Sequence, residues 1–305
     1  LKTLEDATEQ RKRILLAFEH AELEDDPAER ARLTTFVVIG GGPTGVETAG
    51  AIAELAKKAL AKDYRRINPH CARIVLVEAA SRLLGAFPED LAANARCELE
   101  RLGVEVRTGQ PVTACDADGI SVGGERIESR CVIWAAGVQS SPVARWLMAP
   151  MDRASRTIVD STLRASNNDN IFVIGDCALA NGADGKPLPG VAPVAKQQGE
   201  HAARSIVALL RRRAPKPFRY ADFGSMATVG RKAAIADFRG VHLRGFLGWL
   251  VWSAAHVYFL IGFRNRIAVT LDWTWSYLTF ERGARLITGD IAPPTHTAQR
   301  PAKVA

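Results

Sequence analysis

The chain has 305 residues with a formal net charge of +7 at pH 7, and 47% of the residues are hydrophobic. This length exceeds what one hydrophobic core usually supports, so more than one domain is expected. The five cysteines include no C-x-x-C pair and the six histidines form no H-x-H or H-E-x-x-H motif. That pattern argues against a disulfide framework, a dithiol redox pair and a metal site, and we expect buried thiols in a reducing compartment.

The beginning of the chain predicts a connecting helix with one buried face. Apolar residues at positions 4, 7, 14, 15, 18 and 21 recur near helical spacing with charges between them. Asp25, Asp26 and Pro27 end the pattern. There is no starting methionine and no signal peptide, and we expect the chain to begin in the middle of a larger protein.

A glycine-rich turn at residues 40–45 is the strongest motif. Residues 36–39 are apolar and mostly β-branched, as in a strand buried on both faces of a parallel sheet. Gly40, Gly42 and Gly45 then follow at G-x-G-x-x-G spacing, ahead of an Ala-rich helical pattern. Gly40 permits the tight turn, Gly42 lets a pyrophosphate approach the backbone, and Gly45 lets the helix pack on the strand. The pattern predicts a dinucleotide site.

A second strand, residues 74–77, ends on Glu78, an acid suited to a ribose 2′-OH. An acid at this position favours NAD(H) over NADP(H). Glu78 lies further along than the usual spacing of about 20 residues. We therefore expect a long crossover helix, residues 46–61, or an insertion near residues 63–68.

Glu47 is placed in the first turn of that crossover helix. Two interpretations stay open from the residues alone. Its carboxylate could be favoured by the positive end of the helix dipole, or it could lie beside a bound nicotinamide.

The middle of the chain predicts further strands and helices. A helix at 89–102 stops at Gly103, a half-exposed strand at 104–107 leads into a β-meander through residue 127, and residues 131–137 form a strand. Residues 170–176 read as another buried strand, so that Asp176 would stand at the carboxyl end of a parallel strand, where ligands bind; a helix N-cap is the alternative. A helix from Ala195 to about residue 213 and a small antiparallel sheet at 218–238 follow.

The composition changes at residues 246–263, which contain no Asp, Glu, Lys or Arg and are flanked by arginines. More aromatic residues follow up to residue 280. An interfacial helix with aromatic side chains in the lipid and arginines at the headgroups is favoured. A spanning helix and a buried core or dimer helix stay open as alternatives. The tail, residues 291–305, is expected to be disordered.

Taken together, these motifs resemble the type II NADH:quinone oxidoreductases, a family of FAD-dependent pyridine nucleotide-disulfide oxidoreductases. The similar segments are 37–47 for NADH, 132–138 for the return into the flavin domain, 172–176 for the second flavin motif and 192–199 beside the isoalloxazine and quinone. The family often has Gln where Pro193 stands, so a direct quinone contact at that position is not carried over.

The resemblance implies hydride transfer from NADH to FAD and then reduction of a membrane quinone. It implies cofactor-binding roles for Gly40, Gly42, Pro43, Thr44, Gly45, Glu78, Gly137, Gly175, Asp176, Ala195 and Lys196. It implies catalytic roles for Glu47, near the nicotinamide, and for Gln197, at the flavin and quinone. No metal is expected.

The fold implied is α/β: a Rossmann-like NAD-binding domain inserted in a partial FAD-binding domain, with C-terminal membrane-associated helices. The boundaries are 1–34 for the connecting helix, 35–137 for the NAD(H) domain, 138–240 for the FAD part, 241–290 for the membrane anchor and 291–305 for the tail. The family's first glycine motif, for FAD, does not occur in this sequence. We therefore expect a C-terminal fragment that binds FAD poorly and is inactive alone.

The expected partners are a membrane quinone and a bilayer surface through residues 246–280, with no nucleic acid and with a homodimer as an open alternative. The expected location is peripheral, on the cytoplasmic face of the inner membrane. Two other functions stay open. One is a related flavin reductase of the ferredoxin or sulfide:quinone type. The other is a non-enzymatic NAD-binding, membrane-associated protein.

Overall fold

The computed structural model describes residues 3–61, 63–279 and 287, with only the backbone described at 278 and 279. The predicted tail at 291–305, and the anchor region from 280 to 290 apart from Ile287, lie outside the described residues. The chain divides into two compact units, Leu1–Ala136 with Gly224–Ala305, and Gly137–Phe223. The domain boundaries given above stay predictions.

The first unit opens with two capped helices. Helix α1, Leu4–Leu23, begins in a capping box in which the side chains of Thr3 and Asp6 each accept from the other's backbone N–H. Helix α2, Pro27–Leu33, is capped by the Asp26 side chain. One face of α1 is buried around Leu15 and Phe18, so the helix with one buried face is present as predicted.

A four-stranded parallel sheet forms the centre of this unit. Its strands are β1, Thr35–Ile39, β2, Arg73–Glu78, β3, Val104–Thr108, and β7, Cys131–Trp134, in the order β3-β2-β1-β7. Side chains alternate across β1, so Phe36 and Val38 join one core while Val37 and Ile39 join another. The prediction of a strand buried on both faces is confirmed, and so is the α/β class.

Each face of the sheet is covered by different elements. Helices α1, α3, Pro43–Glu54, and α4, Glu89–Arg101, contribute to the larger core. The opposite face is covered by an antiparallel meander of β4, Val112–Asp116, β5, Gly119–Val122, and β6, Glu125–Glu128. The carboxyl end of β1 thus meets the start of α3, where ligands bind in such sheets.

The crossover between β1 and β2 differs in detail from the expectation. Helix α3 starts at Pro43 rather than residue 46, because proline suits the first turn of a helix. Glu47 therefore lies in the second turn, where the dipole interpretation is weaker. A π-helical turn, Leu55–Ala59, and a 3₁₀ turn, Pro69–Cys71, follow. The predicted single helix over residues 46–61 ends at Glu54, and the Glu22 carboxylate accepts backbone N–H groups of residues 65–67.

The second unit contains short elements and one long helix. They are α5, Val143–Trp146, β8, Thr157–Ile158, β9, Arg164–Ala165, β10, Asn168–Phe172, β11, Ala178–Leu179, and α6, Ala192–Leu210, with a 3₁₀ turn at Gly175–Cys177. The prediction of a buried parallel strand at 170–176 is wrong within the described residues. Strand β10 ends at Phe172 and pairs antiparallel with β9. The first three of its five residues are exposed.

The chain then returns to the first unit. Strands β12, Ser225–Gly230, β13, Ala233–Phe238, and β14, Val241–Arg244, form a small antiparallel sheet. Such a sheet was predicted, but it spans residues 225–244 rather than 218–238. Helices α7, Gly245–Phe259, and α8, Phe263–Thr279, follow. The Cα of Gly248 lies so close to the sheet that a Cβ there would come within 2.4 Å of the Ala234 carbonyl oxygen. No helix in the described part of the chain is both long enough and apolar enough to cross a membrane.

The cysteines are only partly as expected. All five are free, and Cys131 is buried, but Cys71 and Cys97 are exposed. Cys71 lies in the 3₁₀ turn before β2, and Cys97 lies on the outer face of α4. Burial raises the pKa of the Cys131 thiol to about 12.

Candidate functional site

The glycine turn between β1 and α3 is built by two close backbone approaches. Gly40 has a φ of +111°, and a Cβ there would lie 2.7 Å from the Ala136 nitrogen. A Cβ on Gly45 would lie 1.8 Å from the Gly40 carbonyl oxygen. A side chain at Gly45 would push the start of α3 away from the turn after β1, and one at Gly40 would clash with the backbone that follows β7. The sequence interpretation of these two glycines is consistent with this geometry.

The start of α3 is open to a ligand. Gly42 is the N-cap residue, makes no side-chain hydrogen bond, and would meet nothing within 4 Å if it carried a Cβ. Pro43 and Thr44 are exposed beside it. Because no side chain caps this helix, its first N–H groups and its dipole are directed at this opening, an arrangement that suits a pyrophosphate.

Glu78 joins the glycine turn to the end of β2. Its Oε2 accepts the Gly41 N–H at 2.5 Å, and its Oε1 accepts the Ala80 N–H at 2.8 Å. Carboxylate oxygens can each accept more than one hydrogen bond, so binding of ribose hydroxyls stays compatible with this position. The sequence interpretation gave no role to Gly41, although a Cβ there would lie 2.6 Å from the Leu83 side chain.

The Glu47 side chain contacts strand β12. Its Oε1 accepts the N–H of Thr228 on β12 at 3.2 Å. Its side chain lines a cavity of about 330 Å³ within the first unit, which we call the aromatic cavity. The lining residues are Glu47, Ala51, Glu54, Thr228, Gly230, Arg231, Trp252, Trp273, Ser276 and Tyr277.

The far wall of the aromatic cavity comes from the C-terminal helices. The rings of Trp252 and Trp273 stack with centroids 5.6 Å apart and planes 9° apart. The Arg231 guanidinium lies 4.8 Å from the Tyr277 ring centroid and donates to the Ser276 carbonyl. Sequence reasoning missed this cavity. The available signal was the spacing of Glu47, Ala51 and Glu54, which puts all three on one face of a helix.

The second unit has its own cleft of about 280 Å³. Gly175 and Asp176 line it, with φ of +65° at Gly175. A Cβ on Gly175 would lie 3.3 Å from that of Ala195. Gly137, with φ of +74°, directly precedes Val138, which lines the cleft. In the described part of the chain, no ion pair engages the Asp176 carboxylate.

Two further side chains shape this cleft. Gln198, which is 1% exposed, accepts the Gly175 N–H through its Oε1 at 2.6 Å. Arg156 pairs with Asp152 at 2.8 Å. Burial opposes ionisation of the Asp152 carboxyl, but hydrogen bonds from the Arg156 backbone and side chain keep its pKa below the usual value. Sequence reasoning missed Gln198, because nothing local distinguishes it from its neighbour.

Helix α6 places the remaining predicted residues. It begins at Ala192 with no side-chain cap at Val191. The Gln197 amide makes two hydrogen bonds with the backbone of Ala221, both 2.9 Å. Neither Gln197 nor the exposed Lys196 lines the cleft. Their roles at flavin and quinone stay predictions. Within residues 3–61, 63–279 and 287, no group of three metal-ligating side chains could hold a metal ion.

Comparisons with known proteins agree on one family. A family model described as pyridine nucleotide-disulphide oxidoreductase matches residues 3–199, and one described as NDH2 C-terminal domain matches residues 223–282. Two type II NADH:quinone oxidoreductases of Mycobacterium tuberculosis, Ndh and NdhA, are 42% and 41% identical over 94% and 95% of the chain. The chain spans 64% of the length of each.

A solved structure has the same fold. The structure of NDH2 from Plasmodium falciparum in complex with NADH matches with a TM-score of 0.83 at 18% identity. The match covers 95% of this chain and 74% of that one.

Proposed function

We propose that this chain, which belongs to the type II NADH:quinone oxidoreductases, oxidises NADH and reduces a quinone. These enzymes lie within the pyridine nucleotide-disulphide oxidoreductase family. The observation that carries the proposal is the open glycine turn on the same chain as an NDH2 C-terminal domain. The first offers a site for a dinucleotide, and the second is a family model described for NDH2.

The NADH site is assigned to the glycine turn. The N–H groups at the start of α3 would hold the pyrophosphate against Gly42, with Pro43 and Thr44 at its side. Glu78 would accept a ribose hydroxyl while it keeps the turn attached to β2 through Gly41.

The cleft of the second unit fits part of a flavin site. Gly175 and Gly137 have backbone conformations that bring the chain close to a ligand. Asp176 is an exposed carboxylate that can accept hydrogen bonds from hydroxyl groups. Gln198 holds the turn that carries Asp176, because it accepts the Gly175 N–H. FAD, when bound, would accept the hydride and pass electrons on to the quinone. The family resemblance implies flavin-binding roles for Ala195 and Lys196 at the start of α6, although neither residue lines this cleft.

The C-terminal helices are assigned to the membrane surface. Large apolar side chains on α7, α8 and the link between them are exposed, among them Tyr258, Ile261, Phe263 and Leu271, at 68%, 89%, 76% and 66%. Patches of this kind mark interaction surfaces. With Arg264 beside them, they suit an interfacial attachment to anionic lipid. The family resemblance implies the cytoplasmic face of the inner membrane as the location.

Enzyme activity tests the function. The full-length protein that the gene encodes, loaded with FAD, should oxidise NADH only when a soluble short-chain quinone is supplied. Glu78→Gln should raise the KM for NADH, because a neutral amide is a weaker acceptor than a carboxylate. NADH oxidation that does not depend on quinone would contradict the proposal.

Vesicle flotation tests the membrane surface. Ile261→Glu should reduce binding to anionic vesicles because it puts a charge among lipid chains. Leu210→Glu on α6 is the matched control, since Leu210 is 81% exposed outside these helices. Equal loss of binding in both variants would contradict the assignment of α7, α8 and the link between them to the membrane surface.

A further inference from the structure

Gln198 is the only buried polar side chain among those that line the cleft of the second unit. It lies in the second turn of α6, is 1% exposed, and accepts the Gly175 N–H through its Oε1 at 2.6 Å. Because an N–H donor must meet an oxygen, this contact fixes the orientation of the amide. The Nε2 group of Gln198 is therefore directed away from Gly175.

The two N–H groups on Nε2 have no acceptor among residues 3–61, 63–279 and 287. A buried side chain with an unused donor is uncommon, because the donor has lost its water without gaining a partner. Gln198 lines the cleft and its oxygen is already engaged by Gly175. The amide N–H groups are therefore the part of this side chain that remains for a ligand.

Two other polar side chains of the cleft indicate what kind of ligand it takes. The Arg156 guanidinium is held by Asp152, whose Oδ2 is 2.8 Å from both Nε and Nη2. Asp176 offers a carboxylate, which accepts hydrogen bonds from hydroxyl groups. A suitable ligand carries hydroxyl groups for Asp176 and a separate acceptor atom for Gln198. A flavin has both, since its ribityl chain carries hydroxyl groups and its ring carries carbonyl oxygens.

We propose that Gln198 is a flavin-binding residue whose Nε2 donates a hydrogen bond to an uncharged acceptor atom in the ribityl or ring part of FAD. The inference rests on the proposed function, because that function supplies FAD as the cofactor. One amide then has two tasks: its oxygen holds the turn at Gly175, and its N–H groups bind the flavin. Different substitutions can remove these two tasks separately.

Two variants of Gln198 test the proposal. Gln198→Glu keeps an oxygen for the Gly175 N–H but removes the N–H donors, and Gln198→Met removes both in a side chain of similar length. FAD is titrated into the full-length protein after removal of its cofactor, and flavin fluorescence reports the affinity. Each titration is run at low salt and at about 1 M salt, which screens repulsion between charges. Thermal unfolding of the same samples without FAD reports whether the turn is held.

Gln198→Glu should bind FAD about tenfold more weakly than the wild type at both salt concentrations, because a hydrogen bond from a buried donor is lost. Its melting temperature should match the wild type, since Gly175 keeps its acceptor. Gln198→Met should weaken FAD binding and lower the melting temperature as well. Gln10→Glu is the matched control, because Gln10 lies on α1 and does not line the cleft. It should leave the affinity for FAD unchanged.

Two results overturn the inference. Wild-type affinity of Gln198→Glu for FAD means that Gln198 only holds the turn, and an affinity that is restored at about 1 M salt means that charge repulsion caused the loss.

Quinone-dependent NADH oxidation by the FAD-saturated wild type is measured separately, so that the two proposals can fail separately. Activity together with unchanged FAD binding in Gln198→Glu removes the inference alone. An inactive wild type, with the expected loss of affinity in Gln198→Glu, refutes the proposed function and leaves Gln198 as a flavin-binding residue. A wild type that does not bind FAD refutes both.

Discussion

Adding one methyl group at two glycines three residues apart should affect two different properties. Gly45→Ala should lower the stability of the fold, and Gly42→Ala should lower the affinity for NADH. At Gly45 a Cβ would lie 1.8 Å from the Gly40 carbonyl oxygen. Non-bonded heavy atoms separate to roughly 3.5 Å, so Gly45→Ala must move the start of α3 away from β1 by well over an ångström. At Gly42 a Cβ meets nothing within 4 Å, and its φ of −73° is ordinary for alanine.

The expected magnitudes follow from these geometries. Overpacking at Gly45 should cost about 1–3 kcal/mol, which lowers the melting temperature of a unit this size by roughly 2–12 °C. Gly42→Ala should leave the melting temperature within about 1–2 °C, because an unstrained Gly-to-Ala change is nearly neutral. It should instead weaken NADH binding by about tenfold or more, because the methyl group keeps the pyrophosphate from a backbone N–H.

The assay is thermal unfolding by circular dichroism together with NADH titration by fluorescence, on wild type and both variants. Gly42→Ala serves as the chemical control for Gly45→Ala, since both add the same atoms to the same turn. The reasoning is refuted if Gly45→Ala melts with the wild type, or if Gly42→Ala binds NADH with unchanged affinity.

Two further outcomes are expected. A thiol reagent at pH 8 should label Cys71 and Cys97 in the native protein and Cys131 only after unfolding, because burial raises the pKa of Cys131 to about 12. Mass spectrometry of the labelled peptides checks this. Rapid labelling of Cys131 in the native protein would contradict it. The hydrogen bond from Arg130 holds the pKa of the Glu29 carboxyl below its usual value. Its stabilisation is therefore present above the unfolded pKa of about 4.3 and is lost as the pH falls through the lower folded value. Glu29→Gln should lower the free energy of unfolding by at most about 1 kcal/mol near pH 7. The difference between variant and wild type, measured by urea unfolding, should disappear in acid. A difference that persists at pH 2 would exclude this pair as its source.

The local parts of the fold followed from the sequence. The β-branched run of β1, the glycine spacing and the apolar periodicity of α1 all act between residues a few positions apart, where chain geometry is set by covalent neighbours. The distance from the glycines to Glu78 also predicted more chain between β1 and β2 than a single short helix fills, and a π-helical turn and a 3₁₀ turn follow α3 there.

Strand β10 shows where this reasoning fails. Residues 171–174 have the apolar composition of a buried strand, but burial depends on what lies on both sides, which composition does not specify. The structure pairs β10 with β9 alone, and Ile174 is 38% exposed. Asp176 therefore does not stand at the end of a parallel strand, although it does line a cleft.

The sequence by itself determined the glycine turn at residues 40–45, because Gly45 packs against Gly40 only five residues before it. Only the tertiary structure decided what Glu47 and Glu54 face, since the N–H groups that hold them lie 181 and 177 residues further along the chain. It also decided between adjacent glutamines, directing Gln198 to Gly175 and Gln197 to Ala221. Successive residues of a helix point in different directions, and only the packed neighbours fix which one meets a site.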